Sequence, residues 1–274
     1  MRPRRDVFAL EYIGETVDAY CKASASAHVD SGELAWAGDV LAAYFSAVRL
    51  TPLLASLKSE FEAPRGGAAV SPERLVPYRR GEPALPEGAF AALEAVARHR
   101  KSVRWFQRRE VPRPLLDAAV ACASTAPSAC NRQPFVFRIF DDPAWVRRLA
   151  AIPMGTHGYH ENIPVLIIVM GRLRDFFSER DRHLIYVDGS LAAMTLILAL
   201  EAQGLSTCCI NWPDIEAREA ALAEALYLEP DTRAVMFIAV GYADPDGQVA
   251  YSKRKPLDQL RSYNDDRGAG NRHP

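Results

Sequence analysis

The sequence lacks an excess of charge of either sign. Its 274 residues carry 33 Lys and Arg against 34 Asp and Glu, a net charge of −1. Dedicated nucleic-acid binders usually show a basic surplus, so that class is set aside. The balance also holds within the chain. Residues 1–86 contain ten Lys/Arg and eleven Asp/Glu, and residues 87–274 contain 23 of each. No uninterrupted apolar run approaches the ~18–20 residues of a membrane span. The longest, SLAAMTLILAL at 190–200, reads as a buried helix. The Arg-rich start, MRPRRDVFALEYIGETVDAY, shows no apolar signal core and no small-residue cleavage site. The expectation is a cytoplasmic protein with neither nucleic-acid nor membrane partners. Cysteine is sparse and unpatterned: Cys21, Cys122, Cys130, Cys208 and Cys209 show no CxxC spacing. An odd number without a secretory signal suggests reduced thiols. Vicinal Cys208 and Cys209 on a strand would point to opposite faces and would not easily grip one metal. They are expected to pack as two small buried apolar residues rather than as a redox or metal site. Internal repeats and low-complexity segments are also missing. What remains, 49% apolar and 24% charged, is ordinary globular composition, long enough for a full core.

Apolar residues at three- and four-residue steps predict helices over 6–26, 33–49 and from Leu53 to Phe61. The stretch EAPRGGAAVSPERLVPYRRGEPALPEG, 62–88, reads as a linker or a long surface segment. The chain is therefore divided into a helical N-terminal extension with linker, 1–86, and a second domain, 87–274. In that domain a helix over 87–99 ends in RHRK, where cations suit the helix C-terminus. Further helices are predicted at 113–124, 143–152, 180–203 (closed by Gly204) and 214–228 (capped by Asp214). Strands are predicted at 135–140, 164–171, 206–211 and 234–243. PVLIIVMG, 164–171, is continuous enough for a central buried strand. Strands separated by helices indicate an α/β or α+β sandwich. The helix over 180–203 is apolar nearly all round, so it should be buried on every face, inside the domain or at a homodimer interface.

Three stretches could carry chemistry. RKSVRWF, 100–106, sets Arg100, Lys101 and Arg104 around Ser102. Arginine forks, a lysine point charge and a hydroxyl would cage a phosphate; a solvated helix end would look much the same. STAPSACNRQPFVF, 124–137, offers small residues for close backbone approach to a flat ligand, with Ser, Asn and Gln for a polar ring edge; it could equally be a structural turn. SKRKPLDQL, 252–260, places Lys253, Arg254 and Lys255 past the last strand, where a solvated tail is the usual answer.

The order of the three narrows the choice. RKSVRWF, then APSACNRQPFVF about 25 residues later, then KRKP, resembles the flavin-dependent nitroreductase family. YVDGSLAAMTLILALEAQGLSTCCIN looks like its long dimer helix and following strand, and ENIPVLIIV like its second strand. The resemblance covers roughly 90–260. It implies an α+β fold, an α/β/α sandwich with a mixed, mainly antiparallel sheet, built as a homodimer with FMN at the interface. It implies that Arg100, Lys101, Ser102 and Arg104 hold FMN, and that Arg254, with Lys253, reaches its phosphate. Pro127, Ser128, Ala129, Asn131 and Gln133 would lie against the ring, contributed by the other subunit. Cys209, Ile210 and Asn211 would line the flavin N5 side. Three features depart from the family pattern. Asn211 stands where many members carry Glu. MGTHGYHEN, 154–162, matches no known contact. Residues 1–86 match no part of the catalytic core.

The resemblance implies an enzyme passing electrons from NAD(P)H through FMN to a small nitroarene, quinone or enone acceptor by a ping-pong mechanism. No side chain is assigned as general acid. His157 and His160 are weighed as pocket residues and as ordinary surface or core groups, and no metal is assigned. The alternative is a flavin fold in a specialised biosynthetic or scaffolding role, its N-terminal helices docking a partner.

Overall fold

Asp30 and Thr51 each start a helix with a side-chain hydrogen bond. In the computed structural model, which describes residues 5–65, 75–81 and 84–264, the chain forms two units, Met1–Leu85 and Pro86–Pro274. The first unit holds α1 (Ile13–Ser24), α2 (Ser31–Ala47) and α3 (Pro52–Glu62). Asp30 accepts from Glu33 N–H at 2.8 Å and Thr51 from Leu54 N–H at 3.3 Å, each satisfying an orphan donor of the first turn. Val17, Leu41, Phe45, Leu54, Leu57 and Phe61 form this unit's own core. α1 starts at Ile13 rather than near residue 6. Ala9 sits at φ +62°, a left-handed conformation that interrupts a right-handed helix. Of the stretch read as a linker, residues 66–74 and 82–83 lie outside the described residues.

The second unit is layered. α4 (Ala89–His99) and α5 (Arg113–Ala123) precede β1 (Phe135–Phe140). Then come α6 (Pro143–Ala150), β2 (Val165–Arg172), α7 (Leu184–Ala202), β3 (Ser206–Ile210), α8 (Glu216–Leu226) and β4 (Thr232–Gly241). The strands lie in the order β1-β2-β4-β3, each pair antiparallel. One isolated parallel bridge, Ser102 to Thr207, is added at β3. Residues 165–171 are all buried, and their alternation feeds both sides of the sheet. Leu166, Ile168 and Met170 meet Val146 and Leu149 of α6 and Leu222 of α8. Val165, Ile167 and Val169 meet Leu116 of α5 and Leu196 and Leu200 of α7. The result is the expected α/β/α sandwich.

Two glycines let α7 lie close on the sheet. A Cβ at Gly171 would stand 2.6 Å from Ile185 Cβ, and one at Gly189 would stand 3.1 Å from Val235 Cγ2. α7 departs from expectation in one respect. Its residues Tyr186, Val187, Leu191 and Met194 are between 44% and 48% exposed, so one stripe is uncovered in the single chain. Within Glu179–Ala202 an 18-residue window has a mean hydropathy of 1.6, enough by length and composition to cross a membrane, though 44% of that window is buried inside the fold. Gly204 closes the helix at φ +79°, with Leu205 N–H bonded to Leu200 C=O at 3.0 Å. Asp214, expected to cap the next helix, does not: α8 starts at Glu216 behind Ile215, with no side-chain cap.

Candidate functional site

After α4 ends at His99 the chain runs extended across the ends of β3 and β4. Val103 N–H donates to Thr207 C=O at 3.0 Å, Gln107 N–H to Tyr242 C=O at 2.9 Å, and Asp244 N–H to Trp105 C=O at 3.0 Å. Val103 and Phe106 are buried in the core that holds Leu166, Ile168 and Met170, while Ser102, Arg104 and Trp105 are exposed. Asn162 clamps the segment from the side. Its Oδ1 accepts from Phe106 N–H at 2.6 Å, and its Nδ2 donates to Phe106 C=O at 3.2 Å.

A cavity of about 940 Å³ opens on this outward face, lined by Arg100, Lys101, Ser102 and Arg104, with Arg254 from the C-terminal segment and Glu94 and Arg98 from α4. Arg98 is paired with Glu94 at 2.7 Å. Among the described residues no carboxylate pairs with Arg100, Lys101, Arg104 or Arg254. Four of the five lining cations therefore have no carboxylate partner among the described residues, and the hydroxyls of Ser102, Tyr251 and Ser252 line the same hole. Such an arrangement attracts an anion and supplies it with charge-assisted hydrogen bonds. Lys253, expected with Arg254, is not among the lining residues.

The other expected site residues form separate groups in the single chain. Pro127, Ser128, Ala129, Asn131 and Gln133 lie in a tight turn ahead of β1, and none lines this cavity. Cys130, Asn131 and Gln133 are left-handed, at φ +52°, +54° and +48°. Ser128 Oγ accepts from Gln133 N–H at 3.0 Å, and Asp188 Oδ2 accepts from Ala129 N–H at 3.0 Å. Cys209 and Asn211 are exposed at the end of β3, while the Ile210 side chain is buried with Leu166, Ile168 and Met170 in the second unit. Ile210 can therefore offer a ligand only its backbone. Beyond Asn211, Trp212 stacks on Phe237 at 5.0 Å and donates to Glu219 Oε1, which fixes how the chain leaves the strand. Cys208 is buried but Cys209 is not, which corrects the expectation that both pack as small core residues. Burial pushes the Cys208 thiol up, opposed by nearby Arg104, so it stays protonated and unreactive at neutral pH.

The stretch 154–162 contributes a residue that sequence reasoning passed over. Tyr159 is buried, and its ring lies 6.0 Å from the Arg104 guanidinium. Burial pushes its phenol up; Cys208 adds to the shift and Arg104 opposes it. Tyr159 and His160 both line a second cavity of about 650 Å³, with Trp105, Arg108, Arg109 and Glu161. His157 lines neither cavity. An aromatic residue next to glycine in a loop, as in Gly158–Tyr159, was the available signal. Two histidines drew the attention instead.

The sequence profile of the Nitroreductase family matches residues 97–157 and 154–242, more than half of the chain. The chain belongs to the nitroreductase family. Human iodotyrosine deiodinase 1 is 25% identical over 189 residues, covering 59% of this chain and 64% of the relative. Iodotyrosine deiodinase of Haliscomenobacter hydrossis is 25% identical over 185 residues, covering 57% of this chain and 82% of that one. The chain thus spans less than two thirds of the human relative. Among solved structures, an FMN-dependent nitroreductase from Clostridium difficile superposes with a TM-score of 0.54 at 20% identity, covering 62% of this chain and 98% of that one. That likeness establishes the nitroreductase-like fold.

Proposed function

We propose that residues 87–274 form an FMN-binding domain of a homodimeric oxidoreductase, with 1–86 as an added helical extension. Electrons pass from NAD(P)H to a small organic acceptor, a nitroarene, quinone, enone or halogenated aromatic, in a ping-pong sequence. The observation that carries the reading is the cavity itself. Arg100, Lys101, Arg104 and Arg254 line about 940 Å³ beside Ser102, with no carboxylate partner among the described residues. A flavin mononucleotide brings a phosphate dianion, a polyol chain and a flat heterocycle, and this donor set fits the first two. The named relatives support the class of chemistry, since one is FMN-dependent and two are deiodinases.

When bound, FMN supplies the redox chemistry by accepting a hydride and passing electrons on. The chain's own residues bind, orient and exclude water. Arg100, Lys101 and Arg254 neutralise the phosphate, and Ser102 and Arg104 orient the polyol and ring edge. Pro127, Ser128, Ala129, Asn131 and Gln133 lie outside this cavity in one chain, which fits their contribution to a partner's flavin. Cys209 and the backbone of Ile210 flank the N5 side, where Asn211 is a neutral group that tunes the flavin differently from a carboxylate. The dimer reading rests on uncovered apolar surface. The α7 stripe is exposed, and α4 buries none of its residues, with Phe90 at 78% and Leu93 at 55% exposed. A second copy would cover both. Five free cysteines suit a reducing compartment such as the cytoplasm.

The decisive experiment is a visible absorption spectrum of the purified protein, before and after anaerobic NADH or NADPH. The reading expects a flavin spectrum that bleaches with reductant and returns with quinone or air. A protein that is colourless and does not take up added FMN would overturn it. A bound flavin that neither nucleotide reduces would overturn the NAD(P)H assignment alone.

A further inference from the structure

α7 carries only two charged residues, Asp188 and Glu201, and buries both, at 2% and 8% exposure. Buried carboxylates are costly and persist only with partners. Each has one, and the two partners lie in the two halves of the proposed site. Asp188 Oδ2 accepts from Ala129 N–H at 3.0 Å, the amide that opens the turn containing left-handed Cys130 and Asn131. Non-glycine residues hold that conformation only where their surroundings fix it. Glu201 Oε1 lies 2.6 Å from His99 Nδ1, the last residue of α4 and the one before Arg100. Glu201 Oε2 is buried without any hydrogen-bond partner. A helix serving only to fill the core would carry an apolar residue at both places.

We infer that Asp188 and Glu201 are positioning residues. They tie the 128–133 turn and the start of the 100–104 segment to one rigid helix, so that the cofactor's contacts are formed before it arrives. Neither touches the cofactor. The inference rests on the flavin reading above and adds to it the residues that hold the site in shape.

The test measures FMN affinity by flavin fluorescence and, without FMN, backbone hydrogen exchange in the wild type and single variants. Asp188→Leu is expected to weaken FMN at least tenfold and to raise exchange over 126–134 but not over 98–104. Glu201→Leu is expected to weaken it similarly, with the opposite pattern of exchange. Asp188→Asn and Glu201→Gln keep an acceptor oxygen and should restore affinity to within about threefold. If the leucine variants fail to fold, Ala129→Pro and His99→Leu remove the same two hydrogen bonds from the other side. Ser128 is extended at φ −136°, ψ 159°, as a residue before proline requires. Affinity within threefold of wild type in the variants that remove these bonds overturns the inference, as does exchange that rises everywhere at once. Equal losses in the Leu and the Asn or Gln variants overturn it too, because an acceptor would then be irrelevant. Those results leave the flavin reading standing. A wild-type protein that takes up no FMN removes that reading, and this inference with it.

Discussion

The Arg109 guanidinium carbon stands 3.7 Å from the centre of the Tyr242 ring. The contact secures the far end of the segment that began at Arg100, two residues beyond the Gln107–Tyr242 backbone bond. A close cation–π contact of this kind contributes ~0.5–1 kcal/mol at an exposed site. Arg109→Ala should lower the urea unfolding free energy by about that amount, and Arg109→Lys by less. An unchanged midpoint in Arg109→Ala would show that the contact contributes nothing.

Arg104 is the cavity cation backed by a buried aromatic, Tyr159. Its guanidinium is therefore partly ordered before any ligand arrives. Arg104→Ala is expected to weaken FMN at least tenfold in a fluorescence titration, which corresponds to ~1.4 kcal/mol. Ser102→Ala, which removes one neutral donor, should cost less. Raising salt should weaken binding in the wild type more than in Arg104→Ala, because screening acts on the charges that remain. Equal salt dependence in the two would argue against an electrostatic role.

Leu191 and Met194 sit at the middle of the uncovered α7 stripe, 44% and 45% exposed. A charge there would be desolvated if a second copy covered it. Leu191→Asp should convert the proposed dimer to monomer, read by sedimentation velocity. If the wild type is already monomeric at micromolar concentration, the dimer assignment fails.

Two carboxylates are expected to contribute to the acid limit of stability. The Arg113 hydrogen bond holds Asp141 below the ordinary carboxylate value, and the Arg174 hydrogen bond does the same for Asp231. Both are doubly bonded: Arg113 to Asp141 at 2.6 and 3.1 Å, and Arg174 to Asp231 at 2.5 and 2.6 Å. A lowered folded value means that the stabilisation is complete above the unfolded value, about 3.9. It is lost as pH falls from there through the lowered folded value. Melting temperature should therefore drop more steeply with acidification in the wild type than in the Asp141→Asn, Asp231→Asn double variant. Parallel acid limbs would mean that other groups dominate.

The layers were legible because burial imposes patterns on a chain. A strand sandwiched between two cores must be apolar throughout, and 165–171 reads that way. The cation cluster at 100–104 was legible because its charge has no local partner in the sequence either. What escaped depends on contacts between distant residues. Ala9 delays the start of α1 through a backbone angle that alanine does not advertise. Cys209 differs from Cys208 only in which face of an edge strand it occupies. Asp188 and Glu201 were visible as two carboxylates in an apolar helix, but their partners lie 59 and 102 residues away. α7 seemed to need burial on every side, and the single chain does not provide it.

The Val103–Thr207 bond has a consequence for aggregation. β3 is the last strand on its side of the sheet, and an unprotected edge is a template for another chain. The residues just upstream of the cavity's Arg104 are also what occupies that edge. Lifting the segment to refashion the cavity would leave a strip of unpaired amides and carbonyls beside Cys209. Engineering of this site is therefore constrained by solubility as well as by ligand fit.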